Sequence, residues 1–190
     1  MNENNVNEIV TEEAVAENKS KGSFLYETVS VFVTALVIIA VMFTFLFRFV
    51  GVDGESMVPT LDNNDWLIVS AINHDIEQGD IVISTQPNAF DEPIVKRVIA
   101  KGGQTVDIDF TAGKVYVDGV ELDEPYIAAP THAMEGNAFP MVVPEGKLFL
   151  MGDNRNDSTD SRSPMVGCVD ERYILGVVKC RLMPNFTIFK

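Results

Sequence analysis

Ile94-Val95-Lys96-Arg97-Val98-Ile99-Ala100 is the stretch that decides the fold: two consecutive cations set inside an otherwise apolar, largely β-branched run. Such residues suit a pleated, buried surface, so the run reads as a strand. Similar runs recur between turn residues at Trp66–Ile72, Asp80–Thr85, Thr105–Phe110, Lys114–Asp118 and Lys147–Met151. The chain beyond residue 50 is therefore expected to be mainly β. Asp118-Gly119 separates Val115-Tyr116-Val117 from Val120-Glu121-Leu122, the chemistry of a two-residue type I′ hairpin. Residues 123–146, with Pro125, Pro130, Pro140 and Pro144, read as an irregular excursion dividing the β-rich part in two.

Ahead of the strands lies an apolar run of 22 residues, Val29 to Val50. As a helix it would be about 33 Å long, enough to span a hydrocarbon core of about 30 Å once. It is longer than a typical signal-peptide core and no clear Ala-x-Ala site follows it, so an uncleaved anchor over 24–50 is expected. Arg48 would snorkel at its exit. Residues 1–23 carry five glutamates and two lysines without a sustained apolar period, and read as a disordered cytoplasmic tail. Lys19 and Lys21 precede the span, whereas after Arg48 the next basic residue is Lys96. That bias puts the amino terminus inside the cell membrane and residues 51–190 outside it, as one extracytoplasmic domain. The formal charge is −14 overall. So acidic an exterior argues against binding nucleic acid through a basic patch.

A serine lies six residues past the apolar run: Gly54-Glu55-Ser56-Met57-Val58-Pro59-Thr60-Leu61. At roughly 3.3 Å per residue, its hydroxyl is at most about 20 Å along the chain from the end of that run. To act as a nucleophile it needs a base, either His or a Lys kept neutral by its surroundings. His74 and His132 sit in polar contexts without a local signature and read as surface histidines. Pro59 occupies the lysine position of Ser-x-x-Lys, and Val58 the second glycine of Gly-x-Ser-x-Gly, so neither of those serine signatures is present. Lys96 is the alternative. Strand alternation sends Lys96 and Arg97 to opposite faces, so one can point inward while the other stays in water. An ordinary lysine is neutral in only about one molecule in 2,500 at pH 7, so desolvation would have to act on it. The competing reading is a cation on an exposed strand face.

A third segment, Gly152-Asp153-Asn154-Arg155-Asn156-Asp157-Ser158-Thr159-Asp160-Ser161-Arg162, is by composition a solvated loop. It follows Leu148-Phe149-Leu150-Met151 directly, where a buried strand would deliver it to the core's edge. There Ser158 could accept a hydrogen bond from Lys96, and Asp160 with Arg162 could brace the loop as an exposed pair worth about 0 to 1 kcal/mol. Cys168 and Cys180 are the only cysteines, and no Cys or His pair has ligand spacing, so no metal site is expected.

Taken together, residues 56–61, 95–100 and 152–162 closely resemble the motifs of bacterial type I signal peptidases, membrane-bound proteases with a Ser/Lys dyad. Gly79-Asp80-Ile81-Val82 looks like a fourth box, and the resemblance runs from about residue 25 to 183 in the family's order. It implies Ser56 as nucleophile and Lys96 as general base, with Ser158 orienting the lysine and Met57 packing near the dyad. Arg97 would support the site from its other face, and Asp160 and Arg162 would form a structural ion pair. It further implies a β-rich domain of the kind shared with LexA-type self-cleaving repressors, no cofactor, and secretory preproteins with small residues at the cleavage site as substrates. Two positions depart from common family patterns. Gly54 stands where Gram-negative members often have an oxyanion-donating Ser, as in many Gram-positive members, and Lys101-Gly102-Gly103-Gln104 replaces a common Pro-Gly-Asp turn. Rival readings are a self-cleaving regulatory protease and an anchored, catalytically silent binding module. No helix-turn-helix precedes the β domain to favour the first.

Overall fold

The structure is a computed structural model that describes residues 24, 26–41, 43, 44, 46–71, 76–89 and 91–189. The expected tail over 1–23 and His74 lie outside the described residues. Two units follow one another along the chain, Met1–Phe45 and Leu46–Lys190. In the first, residues 26–41 are helical. Among the described residues no helix is long and apolar enough to cross a membrane. The apolar run does not continue as helix to Val50: Phe47–Gly51 forms strand β1. Its register with β2 (Trp66–Ser70) runs from Phe47 opposite Ser70 to Gly51 opposite Trp66, so a cross-strand ladder outcompetes extension of the helix. Arg48, expected to exit the span, stands opposite Val69.

The second unit is mainly β, as the sequence implies. Its larger sheet has the order β1-β2-β11-β3-β4-β9-β10, with β12 (Thr187–Ile188) also pairing β11. Here β3 is Ile81–Ser84, β4 Ile94–Lys101, β9 Lys147–Met151, β10 Val169–Asp170 and β11 Ile174–Met183. A smaller sheet, β7-β6-β5-β8, comprises β5 (Thr105–Asp109), β6 (Lys114–Val117), β7 (Val120–Glu121) and β8 (Met141–Val142). Asp118 and Gly119 both take positive φ, 52° and 80°, as the expected hairpin turn requires. Ile99, Ala100, Phe149 and Met151 from β4 and β9 share one core with Val106, Ile108, Val115 and Val117 of the smaller sheet. A second core, holding Met57, Leu61, Leu67, Val69, Ile81 and Ile83, underlies the turn that carries Ser56.

The longest strand, β11, was not expected from sequence. Gly176 interrupts its apolar pattern because β2 crosses there: a Cβ would collide with the Ser70 carbonyl oxygen. Register shifts between Val178 and Cys180 and between Arg181 and Met183 further break its alternation.

Candidate active site

Ser56 sits in a compact turn between β1 and β2. The turn is closed at its base by Val52 N–H to the Asp65 carbonyl at 2.8 Å and Asn64 N–H to the Val52 carbonyl at 2.9 Å. Met57, fully buried, plugs the turn into the core beneath. Gly54 takes φ +100°, a conformation that favours glycine, and its amide donates to Asn63 Oδ1 at 3.1 Å. That amide is therefore engaged within the turn.

Lys96 lies on β4, opposite Val82 of β3. Its residue is only 4% exposed. Nζ donates to Ser56 Oγ at 2.6 Å and to the Val95 carbonyl at 3.1 Å. Burial pushes the lysine pKa below its ordinary 10.5; Asp160, Glu135 and Asp153 pull it back up, and Arg162 adds to the depression. Desolvation, the condition that sequence demanded of a lysine base, thus dominates here. Side by side, a serine hydroxyl and a buried amine can exchange a proton without any other side chain between them.

Arg97 departs from the expectation of one inward and one solvated cation. It too is buried, at 9% exposure, because the other face of β4 is covered. Asp153 receives its Nε at 2.8 Å and Nη2 at 2.6 Å, while Nη1 donates to the Gly79 carbonyl at 2.7 Å. The Tyr126 ring lies 3.9 Å from the guanidinium carbon, so a cation–π contact completes the enclosure. Thr60 Oγ1 donates to Asp153 Oδ2 at 2.5 Å, tying this pair to the serine turn.

The 152–162 loop is not the solvated segment its composition suggests. Asp153, Arg155, Asp160, Ser161 and Arg162 are all buried, which is tolerable because each charge is paired. Asp160 and Arg162 do pair, Oδ1 with Nε at 2.8 Å and Oδ2 with Nη2 at 2.8 Å, but inside the protein rather than on its surface. Ser158 Oγ donates to Asp160 Oδ2 at 3.0 Å. The hydroxyl proton is thus held by the Asp160 carboxylate, which leaves the oxygen lone pairs free to accept; the bonds Lys96 makes run to Ser56 and the Val95 carbonyl. Two further bonds clamp loop to turn: Asn154 N–H to the Ser56 carbonyl at 3.0 Å and Asn154 Nδ2 to the Glu55 carbonyl at 3.2 Å. Gly152 is required at this junction, since a Cβ would strike Ser158 Oγ and the Ser56 carbonyl oxygen.

Sequence reasoning missed the groups that make this burial possible, all carried on the 123–146 excursion. Glu124 clasps Arg155 through both oxygens, at 2.9 and 2.7 Å. Asn156 Oδ1 accepts the His132 and Ala133 amides at 2.9 and 3.0 Å, and Glu135 reaches Arg162 at 2.9 Å. The signal available was charge balance: the excursion offers Glu124 and Glu135 to a loop with two arginines. His132 is exposed, its Nδ1 2.8 Å from the Phe110 carbonyl. Cys168 and Cys180 are both free thiols.

A mainly β domain that seats a serine hydroxyl against a buried lysine amine has the parts of a serine hydrolase. The family model described as Signal peptidase, peptidase S26, matches residues 25–183, and the chain belongs to that family. It is 34% identical over 180 residues to signal peptidase I S of Bacillus subtilis (strain 168), covering 89% of this chain and 95% of that one. Probable signal peptidase I-1 of Synechocystis sp. is 33% identical over 175 residues, covering 87% and 86%. A solved signal peptidase I from Enterococcus faecalis V583 is 28% identical, with a TM-score of 0.44 over 55% of this chain and 97% of that one. The chain is accordingly a peptidase of the serine hydrolase class.

Proposed function

We propose that this chain removes signal peptides from secretory preproteins, with Ser56 as nucleophile and Lys96 as general base. The observation that carries the reading is the 2.6 Å contact between Lys96 Nζ and Ser56 Oγ, made by an amine whose burial favours the neutral form. Ser56 Oγ attacks the scissile carbonyl as Lys96 takes its proton. Lys96 then delivers that proton to the leaving amine, leaving an acyl-enzyme on Ser56. A water molecule, deprotonated by Lys96, attacks the ester and releases the signal peptide. The Ser56 backbone amide is the oxyanion donor we assign; the Gly54 amide, bound to Asn63, is not available as a second.

The substrate cleft holds about 420 Å³ and is lined by Val50–Asp53, Ser56, Met57, Ile83 and Glu92–Lys96. Pairing of β4 with β9 begins at Arg97, so the Ile94–Lys96 segment presents an open edge to the cleft. An extended substrate can add there as a strand, and the small apolar side chains of Val52 and Val95 favour small residues at the cut. Asp160 with Arg162, and Arg97 with Asp153, act as scaffolding that fixes loop, strand and turn. Placement at a membrane is supported by the apolar run that precedes β1 in the sequence. Exposed Phe49, Trp66 and Met183 on adjacent strands suit a lipid-facing side. The test is cleavage of a purified preprotein by the full chain in detergent. Ser56→Ala and Lys96→Ala are each expected to abolish it, and cleavage retained by Lys96→Ala would remove the dyad from the mechanism.

A further inference from the structure

We propose that Glu135 is a positioning residue for the general base: with Asp160 it forms a two-carboxylate seat for Arg162 that sets the charge balance around Lys96. The inference rests on the dyad reading above. Arg162 Nη2 lies 2.9 Å from Glu135 Oε1 and 2.8 Å from Asp160 Oδ2, so one guanidinium is shared between two carboxylates. Glu135 Oε2 also accepts the Asp160 amide at 3.2 Å. The backbone on either side of Glu135 is stitched to the same loop: Arg162 Nη1 donates to the Ala133 carbonyl at 3.2 Å, and Asn137 N–H to the Arg162 carbonyl at 2.9 Å. Asn137 Nδ2 adds a bond to the Ser161 carbonyl at 2.9 Å. These bonds fix the backbone on either side of Glu135, while its carboxylate is held by the Asp160 amide at Oε2 and by the Arg162 charge at Oε1, an oxygen that is buried without a hydrogen-bond partner of its own among the described residues.

The consequence for Lys96 follows from the charges. Asp160 alone would neutralise Arg162 one for one; Glu135, whose pKa is raised by burial and by Asp160 against the pull of Arg162, makes the cluster net negative beside a buried amine when it is ionised. The charged groups that act on Lys96 through space are Asp160, Glu135, Asp153 and Arg162, and those that act on Glu135 are Asp160, Arg162 and Lys96. A general base is most effective when its pKa lies near the working pH, and burial drives Lys96 downward. Glu135 supplies part of the opposing pull. It does so from the 123–146 excursion, the part of the domain that otherwise stands apart from the reacting atoms.

The test is E135Q in the full chain in detergent, which keeps size and one oxygen to accept the Asp160 amide while removing the charge. With less stabilisation of the ammonium, Lys96 loses its proton at lower pH, so the acid limb of kcat/KM against pH moves to lower pH. At a fixed pH on that limb, activity relative to the variant's own plateau is expected to rise roughly two- to fivefold. A merely structural role would lower the whole profile without moving the limb, and that result would overturn the proposal. If E135Q fails to fold, E135D carries the test: its carboxylate is withdrawn by one methylene, and the limb moves the same way by less. An unmoved limb there overturns the proposal equally. Ser56→Ala and Lys96→Ala in the same assay separate the two readings. Cleavage by either refutes the dyad itself; inactivity of both with an unmoved E135Q limb refutes only the role of Glu135.

Discussion

Asp160→Ala probes the buried scaffold most sharply, because one carboxylate there serves five donors. Oδ1 accepts Arg162 Nε at 2.8 Å and Arg162 N–H at 3.2 Å; Oδ2 accepts Arg162 Nη2 at 2.8 Å, Gly152 N–H at 2.9 Å and Ser158 Oγ at 3.0 Å. Both side chains of the ion pair are 0% exposed. Removing one member of a buried pair typically destabilises by about 3–5 kcal/mol, and an orphaned buried amide such as that of Gly152 by about 1–3 kcal/mol. Glu135 remains to share Arg162, which holds the ion-pair part near its lower bound. A working figure is about 4 kcal/mol, a large fraction of the roughly 5–15 kcal/mol that holds a domain folded. At roughly 2–4 °C per kcal/mol, the melting temperature should fall by about 8–16 °C. Thermal unfolding of the full chain in detergent, followed by circular dichroism, measures this. The double variant D160A/R162M should lose less than the two single variants added together, by about 1–3 kcal/mol. A loss below about 1 kcal/mol in D160A, with additive behaviour in the double variant, would mean that the pair is worth no more than an exposed one and would refute the reasoning.

Lys96→Met should raise the melting temperature at pH 7. Because the folded-state pKa of Lys96 lies below 10.5, the unfolded chain binds the extra proton, and wild-type stability rises with pH between that lowered value and 10.5. Lys96→Met should abolish this contribution to the slope; a variant less stable than wild type at neutral pH would contradict it. Gly152→Ala places a methyl group against Ser158 Oγ and the Ser56 carbonyl oxygen, and should lower kcat by about 10²-fold through displacement of the nucleophile. Peptide-cleavage kinetics beside a melting curve check this, and a wild-type kcat in a folded protein would count against it.

Strands built from β-branched runs were legible because their residues are buried by pattern alone: Trp66–Ser70, Ile81–Ser84, Ile94–Lys101 and Lys147–Met151 all lie within or beside the expected runs. The Asp118-Gly119 hairpin was legible because only such residues tolerate two successive positive φ angles. What was hidden depends on partners distant in sequence. The 152–162 loop resembles a surface segment by composition, and Glu124 and Glu135 from the excursion, with Asp160 of the loop itself, make its arginines buriable. Arg97 looks half-solvated until Tyr126 and Asp153 cover it. β1 was concealed inside an apolar run whose composition fits a helix as well as a strand, and β11 by Gly176, which exists for the close passage of β2. Ser56 and Lys96 were each unremarkable alone, and their motifs in combination singled them out; the hydrogen bond between them is a tertiary fact. Ser158 was found by motif, but the bond its hydroxyl donates to Asp160 was not, since that contact is set by side-chain geometry.

The central claim is that a neutral Lys96 activates Ser56, and the pH dependence of kcat/KM for preprotein cleavage by the wild-type chain tests it most directly. Activity is predicted to rise with pH through an apparent pKa well below 10.5 and to be lost across the whole range in Lys96→Ala. An acid limb centred at the ordinary lysine value, or the same limb surviving in Lys96→Ala, would contradict the account.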